Sequence, residues 1–473
     1  MTDFDLVIRS GTLVISGEVV RADIGVRGHT IAALGSELQG HRYLDADGLL
    51  VLPGAVDPHV HLQMPAGATT SSDDWETGTI AALCGGTTTL VDFVEPESDQ
   101  PLREALAERR AEAENRAAAD YALHMTLPRA DAETLAEIPA VVAAGIPTFK
   151  AYTTYEGFGL TDDEILAVME AVRAAGGMLL VHAENDAIAR HETNRLLHEG
   201  KTAPRYHPCS RPPAAEGEAI SRVLALAEIT RVPLYLVHIS TERGVAAATA
   251  ARARGQEVYG ETCPQYLLLT EDEYERPGFE GAKFVCAPPL RSATDNEALW
   301  KALGRGDLRT VGTDHCPFRY QDQKTLGRDS FDQIPGGLPG VEARLALLYT
   351  FGVTTGRLSL PQWVDLCCTA PARVMGLHPQ KGTLAPGADA DIVLFDPEKR
   401  VTLSQKILHE QVDYTPYEGL EIQGYPVTTL LRGRVVMREG QFVGTPGEGR
   451  FLKRARQGGH GDQPEPKNEG FKG

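Results

Sequence analysis

The sequence predicts an α/β protein, a closed (β/α)8 TIM-like barrel with a small β-sandwich domain formed from both chain ends. Three observations predict it. Short apolar strands alternate with Ala-, Glu- and Arg-rich helical stretches eight times from Gly54 to Asp314, the texture of βα repeats around a parallel sheet. Glycine-punctuated β texture occupies both ends of the chain. Residues able to bind metal recur at the last positions of the candidate strands, the end of such a barrel where chemistry sits.

In order, residues 1–53 supply the first part of the β domain, with strands expected at 4–10, 11–16, 17–25 and 30–34. Residues 54–376 form the barrel, with strands at 55–61, 87–93, 121–127, 146–151, 178–182, 234–238, 257–261 and 310–314. Helices fall between them, such as 102–119 and 162–175; Thr161-Asp162-Asp163-Glu164 opens the second with capping-box spacing. Residues 377–445 return to β structure, with a strand at 392–395 and a hairpin over 428–443, and are expected to pair with the N-terminal strands. Residues 446–473 read as a tail, flexible or in contact with another subunit, whose basic residues Lys453, Arg454 and Arg456 form a solvated surface feature.

The formal net charge of -19 argues against a nucleic-acid partner, which needs a basic footprint. Seven scattered cysteines without a Cys-x-x-Cys pair disfavour a disulfide framework or a thiolate zinc site, and point to a reducing, cytoplasmic setting. The acidic N-terminus lacks a signal core, and no apolar run of about 20 residues predicts a membrane span. A small-molecule enzyme fits these bounds.

The chemistry gathers at the strand ends. The first strand ends in His59 and His61, which share one face because side chains alternate along a strand. Lys150, His182, His238 and Asp314 end the fourth, fifth, sixth and eighth. One strand-end histidine is ordinarily structural; four with an aspartate on one rim point to metal. Lys150 lies within an apolar strand, where an ammonium must find a partner or lose its proton. It either pairs with an acid or, as a neutral amine, takes up CO2 to give a carbamate whose two oxygens bridge two divalent ions.

The chain resembles the hydantoinase/dihydropyrimidinase family of cyclic amidohydrolases. The resemblance is carried by Asp57-Pro58-His59-Val60-His61-Leu62, Phe149-Lys150-Ala151-Tyr152, Val181-His182-Ala183-Glu184-Asn185, Val237-His238-Ile239-Ser240, Glu261-Thr262-Cys263-Pro264-Gln265-Tyr266-Leu267 and Gly312-Thr313-Asp314-His315-Cys316-Pro317-Phe318, in family order. It implies that His59, His61 and Asp314 hold one ion, His182 and His238 another, and carboxylated Lys150 both, the ions being typically zinc. Asp314 would serve as general base, and Tyr155 would stabilise the oxyanion; without the resemblance Tyr155 reads as a packing aromatic. The implied reaction opens cyclic ureides or imides to N-carbamoyl amino acids, in a homotetramer or homodimer. His315 receives no role.

The choice of ring rests on departures from the family. Dihydroorotases carry an arginine two residues past the second histidine to grip a carboxylate; Gln63 stands here. The imide edge is bound in the family by backbone groups near Cys-Ser-Pro-Pro and Asn-Gly-x-Pro-Gly; this chain has Cys286-Ala287-Pro288-Pro289 and Gly336-Gly337-Leu338-Pro339-Gly340, so Ala287 and Gly336 would make those contacts. Residues 73–76 and 153–158 are expected to shape the substituent pocket, with Phe158 or Trp75 suited to an apolar group. Allantoinase or dihydroorotase chemistry is the alternative; a non-catalytic scaffold relative is disfavoured because every ligand position holds a coordinating residue.

Overall fold

The computed structural model describes residues 4–15 and 17–455. Its barrel strands are β1 (Ala55–Val60), β2 (Thr87–Val94), β3 (Asp120–Thr126), β4 (Thr148–Tyr152), β5 (Met178–His182), β6 (Leu234–Leu236), β7 (Val258–Thr262) and β8 (Thr310–Val311), hydrogen-bonded in chain order and all parallel. Every residue of β2 and β3 is buried, as a sheet with helices outside and side chains within requires. Helices such as Leu102–Ala113 and Asp162–Ala174 connect the strands, and the capping box of Thr161 and Glu164 forms as expected. The barrel closes beyond the end of β8: Asp314 N–H donates to His59 O (2.9 Å) and His61 N–H to His315 O (2.8 Å). Lower down, Arg344 Nη1 donates to Val56 O (3.0 Å) and Val311 O (2.7 Å), tying β1 to β8 from within.

The sixth and eighth strands stop two and three residues short of their expected ends. His238 and Asp314 adopt φ of +39° and +53°, so the chain leaves the extended region where the ligand candidates stand. The helix from Leu102 ends at Ala113 rather than running to 119, because Asn115 turns to φ +61°.

The β domain is one nine-stranded sheet drawn from both chain ends, eight strands in a continuous hydrogen-bonded path and Tyr43–Asp45 paired beside it on Leu6–Ile15. Leu50–Pro53 pairs with Ile392–Phe395 in antiparallel register and joins the two contributions. The expected break at Ser10 is a bulge inside one strand, Leu6–Ile15, where Ser10 has φ +61°. A separate core of Leu6, Ile8, Ile24, Val26, Ile392 and Leu430 fills this domain. Lys381 fastens it to the barrel, with Nζ 2.6 Å from Asp120 and 2.7 Å from Asp391.

The start of the tail corrects an expectation. Residues 446–455 run against the N-terminal edge of the barrel, where Tyr121 N–H donates to Arg450 O (2.9 Å) and Leu452 N–H to Tyr121 O (2.7 Å). Arg454, read as a solvated residue, is 3% exposed; it donates to Met375 O (3.1 Å), Thr148 Oγ1 (2.7 Å) and Leu123 O. Lys453 is exposed, and Arg456 lies outside the described residues. Among the described residues no helix is long and apolar enough to cross a membrane.

Candidate metal centre

The strand ends converge. His59 Nε2 and His61 Nε2 are 3.2 Å apart, and each lies within 3.3 Å of Asp314 Oδ1. His59 owes its orientation to Glu261 on β7, whose Oε1 is 2.7 Å from His59 Nδ1. Glu261 is itself held by the Tyr235 hydroxyl (2.7 Å) and by His238 N–H (3.0 Å). With Nδ1 bound to a carboxylate, His59 Nε2 is left as a lone-pair donor facing two other donors, and His61 Nδ1 is buried without a partner. Three such atoms repel one another unless they share a cation. Burial pushes the Asp314 carboxyl up, but His59, His61 and Lys150 outweigh it and hold the carboxyl below its ordinary range, so it is ionised.

A second group stands beside the first. His182 Nδ1 lies 3.0 Å from His238 Nε2, while His182 Nε2 is 2.8 Å from Glu184. Arg211 Nη1 reaches the same Glu184 oxygen at 2.6 Å; against the upward push of burial, Arg211 and His182 hold that carboxyl down to about 2. The rings of His59 and His238 are 5.5 Å apart. Lys150 carries charge felt by His59, His182, His238 and Asp314 alike, and its Nζ lies 5.2 Å from the ring of Phe93, which stacks on His61, and 5.1 Å from that of Tyr152. It is 1% exposed; burial drags its pKa down to about 8, while Asp314, Glu261 and Glu95 resist. A neutral amine is therefore accessible near neutral pH. Donor identity and convergence fit a pair of divalent ions.

The residues expected at the substrate edge come from distant segments. Tyr155 is half-buried at φ +80°, its ring 5.1 Å from His182 and 5.0 Å from the Arg211 guanidinium; burial pushes its hydroxyl pKa up, so it keeps its proton. Ala287 and Gly336 abut: a Cβ on Gly336 would meet nothing nearer than Cys286 Cα at 3.9 Å and Ala287 N at 4.0 Å. Lys324 joins their segments, with Nζ donating to Val285 O (2.7 Å), Pro335 O (2.7 Å) and Gly337 O (2.8 Å). Trp75 does not shape the pocket. It is fully buried, its ring 4.9 Å from Tyr121 and 4.7 Å from the Arg109 guanidinium, whereas Phe158 is 39% exposed near Tyr152.

Several supports escaped sequence reasoning. Glu261 and Glu184 lie inside the quoted motifs, yet their task depends on neighbours across strands. Asp57 is one such support: it accepts from His59 N–H (3.2 Å), Thr313 N–H (3.1 Å) and Thr313 Oγ1 (2.7 Å), fixing β1 against the Asp314 turn. His315 closes the barrel through its backbone, while its Nε2 is 3.0 Å from Asp73 Oδ2 and its Nδ1 accepts from Gly340 N–H (3.1 Å). The two-residue period from β7 would have pointed to Glu261; no sequence signal pointed to Lys324.

A model of the amidohydrolase family matches residues 50–436. Over 454 residues the chain is 43% identical to a D-hydantoinase of Rhizobium radiobacter, across 96% of this chain and 99% of the relative. It is also 43% identical over 455 residues to a D-hydantoinase of Geobacillus stearothermophilus, across 95% and 97%. Among solved structures, a dihydropyrimidinase from Brevibacillus agri NCHU1002 superposes with a TM-score of 0.94 at 43% identity, covering 95% of this chain and 98% of the other.

Proposed function

We propose a reaction for this chain on the premise that it belongs to the amidohydrolase family, in the hydantoinase and dihydropyrimidinase branch, and is a cyclic amide hydrolase. Its reaction is the hydrolytic opening of cyclic ureides and imides, 5-substituted hydantoins and dihydropyrimidines, to N-carbamoyl amino acids. The observation that carries this reading is the meeting of His59, His61 and Asp314 with His182 and His238 around buried Lys150. The names of the D-hydantoinase relatives support a preference for the D enantiomer.

His59, His61 and Asp314 would hold one divalent ion, His182 and His238 the other, and Lys150, carboxylated by CO2 at Nζ, both. Zinc suits this donor set. When bound, the ions supply Lewis acidity, lowering the pKa of water to about 7 and polarising the amide carbonyl. Asp314, ionised and turned toward the same point, takes the proton from water and returns it to the departing ring nitrogen as a C–O bond forms and the C–N bond breaks. Tyr155, still protonated, donates its hydroxyl to the oxygen on which charge develops. Backbone groups of Ala287 and Gly336 hold the imide edge. Gln63 supplies no cation for a substrate carboxylate, which separates this reading from dihydroorotase chemistry. A homotetramer or homodimer in the cytoplasm completes it; the seven cysteines, all free, suit that compartment.

The test is a panel of 5-substituted hydantoins, dihydrouracil, allantoin and dihydroorotate on metal-loaded protein and on His59→Ala. Hydantoin turnover in the first, with a loss of more than about a thousandfold in the second, is expected. Turnover unchanged by His59→Ala would reject the site.

A further inference from the structure

Strand β2 leads into a carboxylate that the ring-opening steps leave unused. Side chains alternate along the strand. Asp92 turns outward, accepting from Arg109 Nε (3.1 Å) on the surrounding helix, and Phe93 turns inward, stacked on His61 with ring centroids 4.6 Å apart and 5.2 Å from Lys150 Nζ. Val94 packs in the outer core between strands and helices, so Glu95 returns to the inner face, one layer nearer the mouth. Register agrees: Val94 lies beside Met125 and Thr126 beside Lys150, which sets Glu95 in the row of Thr126 and Lys150.

The surroundings of Glu95 are those of the site. Burial raises its carboxyl, while His61, the neighbouring Thr126 hydroxyl and Lys150 favour its charged form, and it acts on Tyr152, which sits next to the expected substituent pocket. Its Oε1 is buried and has no hydrogen-bond partner, and Glu95 forms no ion pair among the described residues. A buried acceptor left unmet is costly, and a site built around one favours a ligand that brings the donor. Trp75 lies in the core and Phe158 partly in solvent, so neither aromatic supplies this donor.

We propose that Glu95 is a specificity-determining residue, which accepts an N–H or O–H from the substituent on the substrate ring. The chain then favours cyclic ureides whose side chain carries a donor, above all an ammonium, over those with a purely apolar side chain. This rests on the ring-opening reading and names its substrate class.

The experiment compares kcat/KM for 5-(2-aminoethyl)hydantoin and 5-propylhydantoin, which match in heavy-atom count, on metal-loaded wild type, Glu95→Leu and Glu95→Gln. Wild type is expected to favour the amine, and Glu95→Leu to lower the amine-to-propyl ratio by about tenfold to a hundredfold, chiefly through the KM of the amine. Glu95→Gln, nearly isosteric, lowers the ratio in the same direction and serves should the leucine variant fail to fold. A ratio unmoved by either variant overturns the proposal. So does an equal loss on both substrates with loss of bound metal, which would make Glu95 a support of Lys150 instead. Failure of the ring-opening reading shows separately, as wild type that opens neither hydantoin.

Discussion

The imidazoles of His59 and His182 are aimed by the carboxylates of Glu261 and Glu184. Glu184 is held down to about 2 from an ordinary 4.5 by Arg211 and His182, so its ionised form supports the fold above about pH 4.5, and the support is lost as pH falls toward 2. The gap corresponds to about 3 kcal/mol. In metal-free protein, Glu184→Gln is expected to lower the urea midpoint at pH 6 and to flatten its fall between pH 5 and 2; an unaltered acid profile would show that the pair adds nothing. At this scale the sequence was most legible. His59-Val60-His61 and the other strand-end residues were readable because a strand fixes which side chains share a face. Trp75 was misread because a loop aromatic gives no sign of whether it faces a pocket or the core. Glu95 went unread because it lies just past the end of the second strand, which was expected to stop at Phe93 and runs to Val94.

At the scale of elements, the strands were legible as buried apolar runs and their ends were not. His238 and Asp314 look like strand residues, and only their positive φ shows that the ladder stops before them. At the expected substrate edge, Ala287 and Gly336 were readable as motif positions and the structure sets them side by side, but the side chain that spans their segments was not readable. Lys324 is fully buried and meets three carbonyls, so Lys324→Met strips them of a charged donor and leaves the two segments joined there by the backbone bond from Gly337 N–H to Val285 O (3.0 Å). We expect KM for hydantoins to rise by about tenfold or more with a smaller change in kcat and unchanged metal content, and Lys324→Arg to recover less than half of that loss. A fall in kcat alone would place Lys324 elsewhere in the reaction.

Across the whole molecule, both chain ends fold back onto the barrel. The β domain was readable from texture at the two ends, though its union into one hydrogen-bonded path required the Leu50–Pro53 and Ile392–Phe395 pairing. The last described segment was not readable, because its Pro, Gly and charged residues resemble those of solvated chain. Arg454 is the anchor there. Burial pulls its pKa down to about 9 with no carboxylate to oppose it, and its guanidinium is met by two carbonyls and a hydroxyl. Arg454→Ala is expected to cost about 2–4 kcal/mol in denaturant unfolding, since it strips buried acceptors of their donor; a change under about 0.5 kcal/mol would return the residue to the surface role its sequence suggested. The central claim is that two ions gathered around a carboxylated lysine make this molecule a cyclic ureide hydrolase. Titrating metal-free protein with zinc in bicarbonate buffer, while following 5-substituted hydantoin opening to the N-carbamoyl acid, tests it most directly: activity that saturates at two ions per chain is predicted, and full activity without metal, or none with two ions bound, would contradict it.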